Sequence, residues 1–167
     1  MARKISQLEK RFGKRGKKGD DGEKWLLKKL RESKQYDEVK DFSKEWKMQE
    51  LGIDGSVKKE SWYRPYYYDC KHNLVKKNKT TYKIYLEWTK PYSGKTGWFH
   101  TSGANRIYHV SVKHNTSIFY DLRQMRQRVR EQINLGHVEV VHKSRKESCV
   151  LIEHNDPAFE DLLRFQY

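Results

Sequence analysis

The run Tyr66-Tyr67-Tyr68-Asp69-Cys70-Lys71 is the part of the sequence that most decides the fold. It belongs to the aromatic-rich stretch 62–71, which predicts a strand because aromatic residues favour β-strands, and Pro65 near the start of this stretch suits an edge or entry position. Because residues two apart on a strand project from the same face, Asp69 and Lys71 point together, roughly 7 Å apart at the backbone. The run therefore predicts a strand that presents a carboxylate and an amine side by side.

Two more acidic residues interrupt apolar stretches on either side of this strand. Asp54 lies in Leu51-Gly52-Ile53-Asp54-Gly55, and Glu87 lies in Tyr85-Leu86-Glu87-Trp88. Carboxylates on neighbouring strands can converge on a hard divalent cation, which prefers oxygen ligands. A lysine beside them can orient or deprotonate water, or stabilise charge on a phosphate. Each pattern also has a plainer interpretation, because Asp before Gly is typical of a turn and Asp-x-Lys of an ion pair on a surface strand.

Periodicity predicts the remaining elements. Residues 81–89 alternate apolar and polar side chains, as a half-buried strand does, and residues 106–113 alternate again. Residues 121–134 place apolar side chains at three- and four-residue steps, with Asp121 to cap the helix and Gly136 to end it. Further strands are predicted at 52–57, 117–120, 138–142 and 149–153, and further helices at 20–33 and 157–165. This order predicts an α/β fold with a mixed central sheet flanked by helices.

The amino-terminal residues 1–19 are strongly basic, and three glycines among them are expected to break any helix. We therefore interpret residues 1–19 as a flexible basic arm that settles onto phosphates, or that serves only as a solubilising tail. The basic side chains of the arm that we expect on nucleic acid are Lys14, Arg15, Lys17 and Lys18. Residues 20–167 form a single predicted domain, whose first helix begins with the Asp20-x-x-Glu23 spacing of a capping box.

The net charge of the chain indicates which classes of partner to expect. Its 167 residues include 36 Lys and Arg against 22 Asp and Glu, a formal net charge of +14. A domain this basic attracts polyanions through a salt-screened field, so nucleic acid is the first partner to expect and a membrane surface is the alternative. No segment is long and apolar enough to cross a membrane, and no signal-peptide pattern opens the sequence. Two cysteines do not make a disulfide framework, so we expect a cytoplasmic protein, or one of a host cytoplasm if the chain is viral.

Trp98 and the arginines of the 121–134 helix are further candidates for contact with nucleic acid. Trp98 lies in a predicted glycine-flanked loop between basic residues, where its ring could stack on an unpaired base. Arg123 and Arg126 are predicted to contact phosphates, or else to form a solvated helix face. Contacts to phosphates fix position but carry no sequence information, so base specificity stays open.

The acidic motifs occur in an order that resembles a known family. Glu23 on a first helix, then Gly52-Ile53-Asp54, then Asp69-Cys70-Lys71 is similar to the pattern of the PD-(D/E)XK nuclease superfamily. Small phage-type or Holliday-junction-resolvase-like nucleases are the members that the chain resembles. The resemblance covers roughly residues 22–133 and continues through residues 86–88, 97–99, 104–110 and 118–122.

This resemblance implies a restriction-endonuclease-like core and a metal-dependent endonuclease that hydrolyses phosphodiester bonds in DNA, with Mg²⁺ or Mn²⁺ as the cofactor. It implies that Asp54 and Asp69 are the metal-binding carboxylates and that the main-chain carbonyl of Cys70 is a third ligand. Lys71 would position or activate the attacking water.

The resemblance also implies that Glu23 and Glu87 are secondary metal ligands or groups that hold water. The predicted capping box gives Glu23 another role. Two positions depart from the family pattern: Ile53 stands where a proline is usual, and Asn105 stands where relatives often carry an aspartate.

Other readings of the sequence stay open. The substrate could be duplex, branched or single-stranded DNA, with RNA as a further alternative, and cutting both strands of a duplex or junction would favour a two-fold homodimer. A non-catalytic nucleic-acid-binding protein is the main rival, and it predicts that Asp54 and Asp69 make only structural bonds. A basic adaptor for an acidic protein partner predicts no polyanion selectivity beyond charge.

Overall fold

The computed structural model of the protein describes the backbone of residues 7–166 and the side chains of residues 18–166. Its helices are α1 (Gln7–Glu32), α2 (Trp46–Glu50), α3 (Trp98–Thr101) and α4 (Leu122–Asn134). Its strands are β1 (Glu38–Asp41), β2 (Gly55–Lys58), β3 (Tyr66–Lys71), β4 (Val75–Lys76), β5 (Tyr82–Thr89), β6 (Arg106–Ser111), β7 (Thr116–Asp121), β8 (Val141–His142), β9 (Ser148–Glu153) and β10 (Arg164–Phe165). None of the helices in this part of the chain is long and apolar enough to span a membrane.

The strands form a mixed central sheet and a second, smaller sheet. The central sheet has six strands in the order β1-β2-β3-β6-β7-β10, and only its β3–β6 pair is parallel. The second sheet is antiparallel, with four strands in the order β4-β5-β9-β8. A parallel pair needs a long crossover connection, and β4, β5 and α3 lie within the one that joins β3 to β6. The predicted α/β fold with a mixed central sheet is confirmed, whereas the second sheet is not foreseen by the sequence pattern.

The two faces of the central sheet bury different apolar clusters. On one face, Leu26 and Leu30 of α1 pack in a cluster that includes Val57 and Cys70. On the other face, the larger cluster joins strands of both sheets to α4 and includes Met125. Because side chains alternate along a strand, this arrangement sends Cys70 towards α1 and its neighbours Asp69 and Lys71 towards the opposite face.

Helix α1 begins at Gln7, so the prediction that glycines break the helix before residue 20 is wrong, and so is the predicted capping box. Leu26 and Leu30 are fully buried, and once this part of the helix is anchored each further residue adds a hydrogen bond. A glycine inside a helix costs only about 1 kcal/mol relative to alanine. Gly22 even assists the packing, because a Cβ there would lie 2.6 Å from the Cβ of His72.

The carboxyl-terminal part of the chain differs from its prediction at residues 157–165 and in the predicted strand 138–142, of which only Val141–His142 is a strand. Helix α4 is capped as predicted, with the Asp121 carboxylate accepting a hydrogen bond from the main-chain N–H of Gln124 at 2.9 Å. Residues 157–165 are not a helix, however, but turns followed by the short strand β10. Phe159 and Leu163 are buried at a spacing that imitates a helix, while the backbone of Phe165 instead pairs with the edge of β7 at Ile118.

Candidate active site

A buried ion pair lies at the end of β3. The Nζ atom of Lys71 is 2.9 Å from Oδ1 of Asp69, and the Asp69 side chain is only 3% exposed. Burial raises the pKa of Asp69 to about 7, with the nearby charge of Asp54 adding to the effect and Lys71 opposing it. Burial lowers the pKa of Lys71, but the charge and hydrogen bond of Asp69 outweigh burial, so its pKa is raised overall. The amine is therefore held as a cation beside a carboxylate that resists ionisation.

Asp54 meets this pair from the neighbouring strand. It directly precedes β2, and its main-chain N–H donates to the carbonyl of Tyr68 at 2.8 Å. Its carboxylate Oδ2 accepts a hydrogen bond from the main-chain N–H of Cys70 at 2.7 Å, which fixes it between the two charged residues of β3. The turn into Asp54 needs the left-handed φ of +68° at Gly52, a conformation that glycine adopts without strain. The fold thus brings together the two aspartates that the sequence predicts.

Cys70 contributes its main chain to this arrangement. Its side chain belongs to the α1-side cluster, and burial raises the pKa of the thiol well above its usual value. A buried, protonated thiol on the opposite face of the strand is not a ligand for a cation beside Asp69. The atom of Cys70 that stays a candidate ligand is the predicted one, the main-chain carbonyl oxygen.

Ser102 is a contact that the sequence does not reveal. Its hydroxyl oxygen lies 3.3 Å from Oδ2 of Asp69 and 3.2 Å from the carbonyl oxygen of Gly52. Because a hydroxyl has one hydrogen, it donates to one of these two acceptors at a time. The guanidinium of Arg126 holds the segment that carries it, donating to the carbonyl of Phe99 at 2.7 Å and to that of Ser102 at 3.0 Å. Arg126 is therefore engaged in the fold, and its predicted contact with a phosphate has fewer donors available.

Trp98 and Glu87 border the site on the side of the second sheet. Trp98 is the first residue of α3 and not part of a loop, and the Nζ atom of Lys71 lies 5.1 Å from the centre of its ring. Glu87 on β5 accepts a hydrogen bond from the main-chain N–H of Trp98 at 3.1 Å through Oε1. Within the described residues no hydrogen bond or ion pair joins Glu87 to Asp54 or Asp69. The structure gives Glu87 a role in holding the start of α3.

A buried polar network lies behind the ion pair. His109 on β6 is the register partner of Lys71 and is fully buried. Burial lowers the pKa of His109 to about 3, with the Lys71 charge adding to the effect, so the ring is neutral. Its Nδ1 lies 2.6 Å from Oδ1 of Asn73, and its Nε2 lies 2.9 Å from the hydroxyl of Tyr120. The sequence gives no sign of this network, because His109 is one of several alternating residues in a predicted strand.

Glu23 reaches the same region from α1. It lies in the interior of the helix and lines a cleft of about 400 Å³ together with Lys24, Lys44 and Asp54. Burial raises the pKa of Glu23 to about 7, and the charges of Asp54, Asp20 and Asp69 raise it further. Among the described residues, no hydrogen bond or ion pair engages the Glu23 carboxylate. The charge of Lys71 opposes this shift but does not cancel it, so Glu23 is a half-buried acid near the aspartates that resists ionisation.

The predicted basic contacts are spread over the surface. Arg123 lines a groove of about 500 Å³ along α4 with Arg126 and Arg130. Lys18 is exposed, and its main-chain carbonyl accepts a hydrogen bond from Nδ1 of His72. Residues 1–6 of the predicted arm, and the side chains of Lys14, Arg15 and Lys17, lie outside the part that the structure describes.

The donor set of the site suits a hard divalent cation in part. Asp54 and Asp69 offer carboxylate oxygens on adjacent strands. Burial raises the pKa of Asp69, and repulsion from the negative charge of Asp54 raises it further; a bound cation would offset this repulsion. Among the described residues, however, no group of three or more His, Cys, Asp or Glu side chains is placed so that it could hold a metal ion. A cation here would be held by two carboxylates together with main-chain oxygen and water.

Comparison with known proteins does not place the chain in a family. No protein-family model matches it, and neither a curated protein nor a solved structure matches it at a significant level.

Proposed function

We propose that this protein is a Mg²⁺- or Mn²⁺-dependent endonuclease that hydrolyses phosphodiester bonds in DNA. The observation that carries the proposal is the buried Asp69–Lys71 ion pair with the Asp54 carboxylate hydrogen-bonded to the peptide N–H between them. Burying the Asp69 carboxylate beside two further charged groups, the half-buried Asp54 and Lys71, is costly, and an ion pair on a surface strand does not require it. Such an arrangement is typical of sites where a perturbed acid and a cation perform chemistry.

We further propose that the chain belongs to the PD-(D/E)XK superfamily and that its central sheet is a restriction-endonuclease-like core. The support is local, namely an acid before β2, an acid-x-Lys triplet on the adjacent β3, and a further acid on the helix that covers this sheet. The topology is compatible, with α1 followed by the antiparallel β1-β2-β3 and a crossover to the parallel β6.

In this proposal Asp54, Asp69 and the main-chain carbonyl of Cys70 hold the cation, which would neutralise the phosphodiester and lower the pKa of bound water. Lys71 orients the attacking water or stabilises negative charge on the phosphate. Glu23 does not form a three-side-chain ligand group with Asp54 and Asp69 among the described residues, so it would interact with a bound cation through water.

The charge of the protein supports DNA as the substrate. A net charge of +14 attracts a polyanion, and Arg123 and Arg130 line the same groove along α4 as Arg126, which donates to the carbonyl of Ser102 in the segment that contacts Asp69. We propose that phosphates occupy this groove. Cleavage of both strands of a duplex or junction would be served by a homodimer, in which each copy cuts one strand.

The test is cleavage of labelled linear, branched and single-stranded DNA, and of RNA, in Mg²⁺, Mn²⁺ or EDTA. We expect cutting that requires metal and that is lost in Asp54→Ala and Asp69→Ala, while both variants still bind nucleic acid. Asp161→Ala is the matched control, because Asp161 is an exposed carboxylate that forms an ion pair with Arg128, away from Asp54 and Asp69. Equal cutting by wild type and by both site variants would refute the proposal.

A non-catalytic nucleic-acid-binding protein is the second candidate. It is favoured by one observation, the lack of a three-side-chain metal group among the described residues. In that case the Asp54 carboxylate would serve only to bond the Cys70 peptide, and Asp69 only to neutralise Lys71. Tight, salt-sensitive DNA binding without cutting in any metal would establish this function in place of the nuclease.

A further inference from the structure

A second cleft, of about 820 Å³, opens where β3 begins, at the opposite end of that strand from Lys71. The loop before β3 forms one side of it and carries Tyr63, which is 91% exposed. Folded proteins rarely leave a large ring so exposed; among the side chains of residues 18–166, Trp46 on α2 is the next most exposed aromatic at 65%. The guanidinium of Arg64 lies 5.6 Å from the centre of the Tyr63 ring. The loop thus offers a flat aromatic face with a cation beside it.

The floor of this cleft is rigid. Trp62 and Tyr66 pack edge to face, with ring centres 5.0 Å apart. The guanidinium of Arg106 lies 4.6 Å from the Tyr66 ring and also donates to the hydroxyl groups of Tyr36 and Tyr108. Because these rings are locked by their neighbours, the cleft exists before any ligand binds and little entropy is lost on binding.

Asn105 adds a polar group to the same cleft. Its Oδ1 accepts a hydrogen bond from the main-chain N–H of Tyr67 at 3.0 Å, which fixes the orientation of the side-chain amide. The exposed amide nitrogen is then left to donate to a ligand in the cleft. A ring face, a cation and an oriented amide are the groups that bind a nucleobase with its phosphate.

We propose that this cleft binds an unpaired nucleobase, which stacks on Tyr63 while Arg64 contacts its phosphate and Asn105 the base edge. The proposal deepens the proposed nuclease function and rests on it, because it names the substrate class as DNA with unpaired nucleotides, single-stranded or branched. Paired bases do not expose their faces, so a duplex cannot use the ring of Tyr63 in this way. The guanidinium of Arg64 in the cleft and the net positive charge of the chain favour a nucleic acid over a neutral peptide as the ligand of the cleft.

The cleft lies at a useful distance from the proposed catalytic centre. Tyr67 lines the cleft and projects from the same face of β3 as Asp69, two residues further on. Tyr66 is three residues before Asp69, roughly 10 Å along a strand. A base held in the cleft would therefore lie on the same strand of the protein as the proposed catalytic residues, within reach of one DNA chain.

The test measures binding of wild type, Tyr63→Ala and Tyr63→Phe to a fluorescent oligothymidylate and to a blunt duplex of two fully complementary strands, in EDTA. We expect Tyr63→Ala to lose about tenfold in affinity for the single strand and less than about twofold for the duplex. Tyr63→Phe should bind as wild type, because stacking needs the ring and not the hydroxyl. Trp46→Ala is the control, an exposed aromatic on another element, and it should change neither affinity.

Each result of this experiment separates the cleft from the catalytic proposal. Equal affinities of wild type and Tyr63→Ala for the single strand would refute the proposal that the cleft binds an unpaired base, and so would equal losses of affinity for both DNA forms. Either result would leave the nuclease proposal standing. A selective loss together with no cutting in any metal would keep the cleft as a base-binding site and overturn the nuclease. Because EDTA prevents metal binding, the affinity measurement does not depend on the catalytic centre.

Discussion

Replacing Asp69 by Asn is expected to stabilise the fold in the absence of metal. The pKa of Asp69 is about 7 in the folded protein, where burial opposes its ionisation, against about 3.9 for an unperturbed aspartate. The difference of about 3 units corresponds to about 4 kcal/mol at 1.36 kcal/mol per unit. The attraction of Lys71 is already part of this balance, because it lowers the pKa that burial and Asp54 raise.

The sign follows from the direction of the shift. A carboxyl group whose folded pKa is raised contributes stability that is fully present below pH 4 and is lost as the pH rises through about 7. Asn resembles the protonated acid at every pH. The variant should therefore gain up to about 4 kcal/mol in free energy of unfolding at pH 8, but only about 1–2 kcal/mol at pH 5, in EDTA.

Urea unfolding at the two pH values, followed by fluorescence, measures this difference. Asp161→Asn is the matched control with the opposite expectation, because the hydrogen bond from Arg128 lowers the pKa of the exposed Asp161. That variant should be no more stable than wild type at pH 8. An Asp69→Asn protein that is less stable than wild type at pH 8, or a difference that does not change with pH, would refute the electrostatic reasoning.

Three further predictions concern the cation, the basic groove and Ser102. Mg²⁺ should raise the melting temperature of wild type more at pH 8 than at pH 5.5, because Glu23 and Asp69, each with a pKa of about 7, must lose protons to interact with it; equal shifts at both pH values would contradict this. Arg123→Ala should weaken DNA binding and reduce the slope of log affinity against log salt by about 1, which a salt titration of DNA binding measures. Arg126→Ala should instead lower the free energy of unfolding by about 1–3 kcal/mol, because two main-chain carbonyls lose their hydrogen-bond donor, and urea unfolding measures this loss. Ser102→Ala should reduce the single-turnover cleavage rate roughly tenfold with DNA affinity unchanged, since it only positions Asp69, and a loss confined to affinity would argue against that role.

Local patterns in the sequence are sufficient to predict much of the fold. Alternation in residues 81–89 and 106–113 corresponds to β5 and β6, and the three- and four-residue spacing after Asp121 corresponds to α4 with its cap. The juxtaposition of Asp69 and Lys71 also follows from local geometry, because two residues of separation on a strand fix the shared face. Each of these features depends on neighbours in the sequence.

Features that depend on distant residues are not predictable in this way. Ser102 contacts Asp69 across 33 residues of sequence, and His109 contacts Asn73 across 36. The early start of α1 is of the same kind, because the helix is anchored by packing of Leu26 against the central sheet and its glycines are tolerated. The exposed ring of Tyr63 is likewise invisible in a sequence with 11 tyrosines, most of which a small core could bury.

The measurement that tests the central claim most directly is single-turnover cleavage of branched DNA in Mg²⁺ by Lys71→Met. Lys58→Met is the matched control, a lysine at the end of the neighbouring strand β2 that is paired in register with Glu38. We predict that Lys71→Met binds the DNA but cuts it at least about 100-fold more slowly, within the range for loss of a group that acts on the proton in general acid–base catalysis, while Lys58→Met cuts at the wild-type rate. Equal cleavage rates for Lys71→Met and wild type would show that the buried ion pair is not the catalytic centre.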